Sequence, residues 1–93
     1  MIIGILTVDV SIPGSNTLKD KRQVIKSQLD TIRNKFNVSA AEVDHLDSHR
    51  RAGLAFACVS NEQALVNRIL DLIMSQIESN PLCEVVDSEL QFL

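Results

Sequence analysis

Ninety-three residues leave room for one domain built on one modest core. Hydrophobic residues make up 45% and charged residues 23%, with a net charge of −3, which excludes a uniformly basic nucleic-acid binder but not a local basic face. Three Phe with no Tyr and no Trp weigh against a function that stacks bases or cages a cation on aromatic rings.

The N-terminal run MIIGILTVDVSIPG has no basic flank and contains Asp9, so it does not read as a signal peptide. No run of about 18 apolar residues occurs, so no membrane partner is expected and the cytoplasm is the default location. Residues 2–12, rich in Ile and Val and closed by Pro13-Gly14, predict a first strand. Its even positions, Ile2 to Ile12, are the more apolar and form the expected core face. Thr17 then caps a helix, with Asp20 at N3. Leu18, Ile25, Leu29, Ile32 and Phe36 fall on one stripe of that helix at about 100° per residue, and Asn37 reads as a left-handed stop.

Residues 38–45 predict a weaker strand, 46–50 a polar connection, and 51–59 a stronger strand with Leu54, Phe56 and Cys58 on one face. Ser60 and Gln63 read as a second capping box, opening a helix over 61–79 that ends at Asn80-Pro81. The apolar arc of this helix is wide, with Leu70 and Met74 at its rim as a contact edge or as core. Residues 83–92 predict a last strand. The order is the α+β, ferredoxin-like βαββαβ of a four-stranded antiparallel sheet with two helices on one face, as a single domain over 1–93.

That topology leaves one sheet face open. Ile3, Ile5, Thr7, Ala55, Ala57 and Val59 are expected on it. Without aromatic rings they do not suit base stacking. They suit burial against a second copy, so a homo-oligomer is expected.

Charge is segregated along the chain. Residues 19–36 carry Lys19, Lys21, Arg22, Lys26, Arg33 and Lys35 against only Asp20 and Asp30. Lys19, Arg22, Lys26 and Arg33 share one flank of the wheel, where they would reach a phosphate backbone; Arg50 and Arg51 extend the patch if the fold brings them near. The alternative is an ordinary solvated face, with Lys26 and Asp30 as an i,i+4 pair.

Asp44, His45, Asp47 and His49 bring metal-ligating types together, but their spacing matches no established site, so neither a metal nor catalysis is expected. Cys58 reads as a core residue, whereas Cys83 lies near a strand start; spacing alone does not say whether the two pair. No cofactor motif occurs, and none is expected. Pro13-Gly14 before the first helix is similar to the turn of amino-acid-binding ACT-type regulatory domains, although Asp9 stands too early for their pattern.

Three segments in order, MIIGILTVDVSIPG, TLKDKRQVIKSQLDTIRNKFNVSAAEVD and RRAGLAFACVSNE, resemble the YlxP-like family of small bacterial proteins of unknown function. The resemblance implies a ferredoxin-like fold. Family members are often encoded among genes for translation initiation and ribosome maturation, which implies association with RNA or a ribosomal particle. Leu18-Lys19-Asp20-Lys21-Arg22 is the most family-like run. At Ser48-His49 the chain departs from a pattern that usually has a bulkier residue, often Trp, before the basic pair. The expected function is thus a non-enzymatic accessory factor that contacts RNA through the first helix. The alternative is a dimeric regulatory or protein-interaction module binding at the open sheet face.

Overall fold

Alternation along the first strand sets the architecture. A computed structural model describes all 93 residues as β1 (Ile2–Ser11), α1 (Leu18–Lys35), β2 (Ser39–Asp44), β3 (Arg51–Ser60), α2 (Gln63–Glu78) and β4 (Glu84–Phe92). The sheet order is β2-β3-β1-β4, with every neighbouring pair antiparallel. This is the ferredoxin-like α+β fold.

The even residues Leu6, Val8 and Val10, followed by Ile12, are buried under the helices. Ala52, Leu54, Phe56 and Cys58 join them from β3, with Leu6 opposite Phe56 in the register. Ile25, Leu29 and Ile32 close the layer from α1, and Val66, Leu70, Ile73 and Ile77 close it from α2. Leu70 is therefore core and not rim. Each buried Val, Leu, Ile or Phe among them withdraws enough apolar surface to favour folding by about 1.5–3 kcal/mol. At Gly4 the sheet and α2 meet so closely that a Cβ would collide with the Val66 side chain and lie 3.0 Å from Leu70 Cδ1.

A side-chain cap fixes the start of α1. The Thr17 hydroxyl accepts from the Asp20 N–H at 3.0 Å, while the Asp20 carboxylate accepts from the Asn16 N–H at 3.2 Å. Two expected signals fail. The Ser60 hydroxyl accepts from the Glu62 N–H, a turn ahead of the helix, so α2 starts at Gln63 with no side-chain cap. Nor is Asn37 a left-handed stop: Phe36 ends α1 in extended backbone, because β2 begins only three residues later. The one non-glycine residue with positive φ is His45, at 57°, in the β2–β3 hairpin.

Bulges interrupt both outer pairings. Val86 is the extra residue between β4 and β1, and Val43 the extra residue between β2 and β3. The helices pack over β1, β2 and β3 but leave β4 thinly covered, with Val85 its one half-buried residue.

Candidate functional site

Helix α1 presents the basic patch, and the structure sorts its cations by partner. Lys19 and Arg22 stand in solvent and take part in none of the six ion pairs. The Lys26 side chain, 79% exposed, meets the Asp30 carboxylate at 2.8 Å. Arg33 meets the other oxygen of Asp30 at 3.4 Å and also donates to the Ala40 carbonyl of β2. Asp30 is held below the usual 3.8, first by the hydrogen bond from Lys26, with the charges of Lys26 and Arg33 adding to it against some desolvation. Lys35 donates to Gln76 of α2.

Lys21 is the exception. Its side chain is fully buried, and its ammonium donates to Glu42 Oε2 at 2.6 Å and to the carbonyls of His45 and Leu46 at 3.1 and 3.4 Å. It ties α1 to the β2–β3 hairpin and offers nothing to an external phosphate. The signal was available: Lys21 stands at i+3 from Leu18 and i−4 from Ile25, on the apolar stripe itself. Gln28, also on that stripe, is buried and accepts from Asn80.

The two arginines of the hairpin part company. Arg50 reaches the N-terminal end of α1, donating to the Ser15 carbonyl at 2.9 Å and approaching Asn16 Oδ1 at 3.5 Å. Arg51 lies on the open face of the sheet, paired with Asp9. Successive residues entering a strand point to opposite faces, so neighbours in sequence serve different surfaces. The basic face thus comprises Lys19, Arg22, Lys26, Arg33 and Arg50, without Lys21 and Arg51.

Histidine and cysteine complete the picture. His45 Nε2 lies 3.8 Å from Asp9 and 4.0 Å from Asp44. Asp44, His45, Asp47 and His49 are all exposed, and no three His, Cys, Asp or Glu side chains converge in metal-ligating geometry. Cys58 and Cys83 are both free and buried, and burial pushes both thiols above the usual 9.0.

The open face carries Ile3, Ile5, Thr7, Ala55 and Ala57, all half-buried, and Val59, 63% exposed. A shallow floor runs between them past Ser39 and Ala41 of β2. At its far end it turns acidic, at Asp9, Asp44, Asp87 and Glu89. No helix of the structure is long and apolar enough to cross a membrane.

Comparison with known proteins places the chain in a family. The family described as "Protein of unknown function (DUF503)" matches residues 3–90. A Bacillus subtilis (strain 168) protein named "Uncharacterized protein YlxP" is 32% identical over 80 residues, covering 86% of this chain and 87% of the relative. The de novo designed protein Foldit4 superposes with a TM-score of 0.57 at 11% identity, covering 100% of this chain and 97% of its own, a likeness of fold alone. The chain belongs to the DUF503 family, as the match over residues 3–90 and the 32% identity to the Bacillus subtilis relative show.

Proposed function

We propose that this member of the family is a non-enzymatic accessory factor that binds structured RNA, such as that of a ribosomal particle, along the outer face of α1. The observation that carries the reading is the placement of Lys19, Arg22 and Lys26 at i, i+3 and i+7, all exposed on one helical face. Arg33 continues that face, so the cations span roughly 21 Å of helix at 1.5 Å per residue. Arg50 supports the N-terminal end, beside Ser15 and Asn16. The only carboxylate shared within the row is Asp30, between Lys26 and Arg33.

Such a row neutralises backbone phosphates and releases their counterions. It reads no base edges, so preference among RNAs rests on shape. Binding to a structured RNA is expected to weaken steeply with salt. Replacing Lys19, Arg22 and Lys26 with Ala should flatten that dependence; an unchanged slope refutes the reading.

A second reading, self-association over the open sheet face in the cytoplasm, is supported by the apolar row Ile3, Ile5, Ala55, Ala57 and Val59. Sedimentation at low micromolar concentration tests it. A dimer that Ala57→Glu dissociates supports it, and a strict monomer refutes it.

A further inference from the structure

We infer that the free edge of β4 is a docking strand for an extended protein segment that alternates apolar and basic residues. The inference is independent of RNA binding, and it starts from the contrast between the two edges of the sheet. Both edge strands carry a bulge, but β2 has only six residues, the Arg33 guanidinium takes up its Ala40 carbonyl, and Lys21 takes up the His45 and Leu46 carbonyls just beyond it. β4 has nine residues, and none of them is Lys, Arg or Pro, the residues that usually blunt an exposed edge.

The register says which main-chain groups are free. The Leu93 N–H donates to the Ile3 carbonyl at 2.9 Å, and Phe92 stands opposite Gly4, Leu90 opposite Leu6 and Ser88 opposite Val8. In an antiparallel ladder, bonding alternates along the strand. Gln91 and Glu89 therefore turn their amides toward β1. Leu90 and Phe92 present N–H and C=O at the free edge, ready to accept another strand, and Ser88 adds its C=O, its N–H being held by the Asp87 carboxylate at 2.9 Å.

The two faces of β4 then specify the occupant. Leu90 and Phe92 share the helix side of the sheet with Leu6 and Gly4, yet they remain 39% and 38% exposed. An added strand would cover them with apolar side chains of its own. On the other side lie Asp87, opposite Asp9, and Glu89, opposite Thr7, at the acidic end of the open face. Asp9 is already answered by Arg51, whereas Asp87 and Glu89 meet no cation. Lys or Arg on the alternate positions of the incoming strand would supply it.

A second copy fits this edge poorly. Two-fold pairing of β4 with itself about Ser88 sets Asp87 against Glu89 in both directions. Pairing about Leu90 avoids that clash but uses only Ser88 to Phe92. The charge row therefore selects a basic partner over self-pairing.

The test uses the full chain and a labelled nine-residue peptide alternating Val and Lys. Saturable binding is expected by fluorescence anisotropy, with slower hydrogen exchange at the Leu90 and Phe92 amides. N-methylation of the peptide on its bonding edge should weaken binding about tenfold. Asp87→Asn with Glu89→Gln should weaken it about fivefold. Leu90→Pro, which removes one outward N–H and leaves the β1 ladder intact, should also weaken it; if that variant does not fold, the paired neutral variant decides. Absence of saturation at millimolar peptide overturns the inference. So does equal binding of the N-methylated or a scrambled peptide. Concentration-dependent protection of the same two amides without peptide would make the occupant a second copy, and would overturn it too.

Discussion

Replacing Lys21 with Met removes a charge that sits entirely out of water while keeping most of the side-chain volume. The wild-type ammonium satisfies Glu42 Oε2 and two hairpin carbonyls, and Glu42 keeps 16% of its side chain exposed. Breaking a buried pair by deleting one partner costs about 3–5 kcal/mol. Water reaches Glu42 and the exposed hairpin residues in part, so the low end applies, about 3 kcal/mol. In a domain of this size that corresponds to a fall in Tm of roughly 12–24 °C. Urea denaturation of wild type and K21M measures the loss directly, and an unchanged slope against denaturant would show that the unfolded state is not the cause. Adding Glu42→Leu should recover most of the stability, because an apolar pair can replace a buried ion pair at little cost. A K21M variant within about 1 kcal/mol of wild type would refute the reasoning, as would a double variant no better than the single one.

Other expectations follow from single sites. Gly4→Ala should destabilise by about 1–3 kcal/mol through collision with Val66, read as a lowered Tm. Cys58 and Cys83 should resist a thiol reagent such as iodoacetamide in the native protein at pH 8 and react fully in denaturant, because burial disfavours both thiolates; rapid native modification would contradict their placement. Asp30 should titrate below 3.8 in the folded chain, led by its hydrogen bond from Lys26, and Lys26→Ala should move it back toward that value in a carboxyl NMR titration. Its pairing favours the folded state above pH 3.8 and ceases to do so as pH falls through the lowered value.

Much of the fold was legible because periodicity maps directly onto burial. The even residues of β1, the stripe Ile25, Leu29 and Ile32, and the cap at Thr17 all lie where sequence spacing puts them. Signals that depend on a single residue fared worse. Ser60 belongs to the turn before α2, and Asn37 is not left-handed because Phe36 already turns the chain into extended backbone on the short link to β2. At the candidate site, charge count alone grouped Lys21 with its neighbours, although its position between Leu18 and Ile25 already assigned it to the inner face. Arg50 and Arg51 separate by strand alternation, which is readable once the strand start is known. The contacts of Arg33 with Ala40 and of Arg50 with Ser15 are tertiary, and no local pattern announces them. The bare edge of β4 has a similar origin: its apolar Leu90 and Phe92 look like core residues until the helices are seen to stop short.

The RNA-binding reading is tested most directly by the salt dependence of affinity for a structured RNA duplex, wild type against the triple variant Lys19→Ala, Arg22→Ala and Lys26→Ala. If the face of α1 is the contact surface, the slope of log affinity against log salt should fall in magnitude by about 2–3, while Arg51→Ala leaves it unchanged. Equal slopes for wild type and the triple variant, or no measurable affinity of the wild type at low salt, would contradict it.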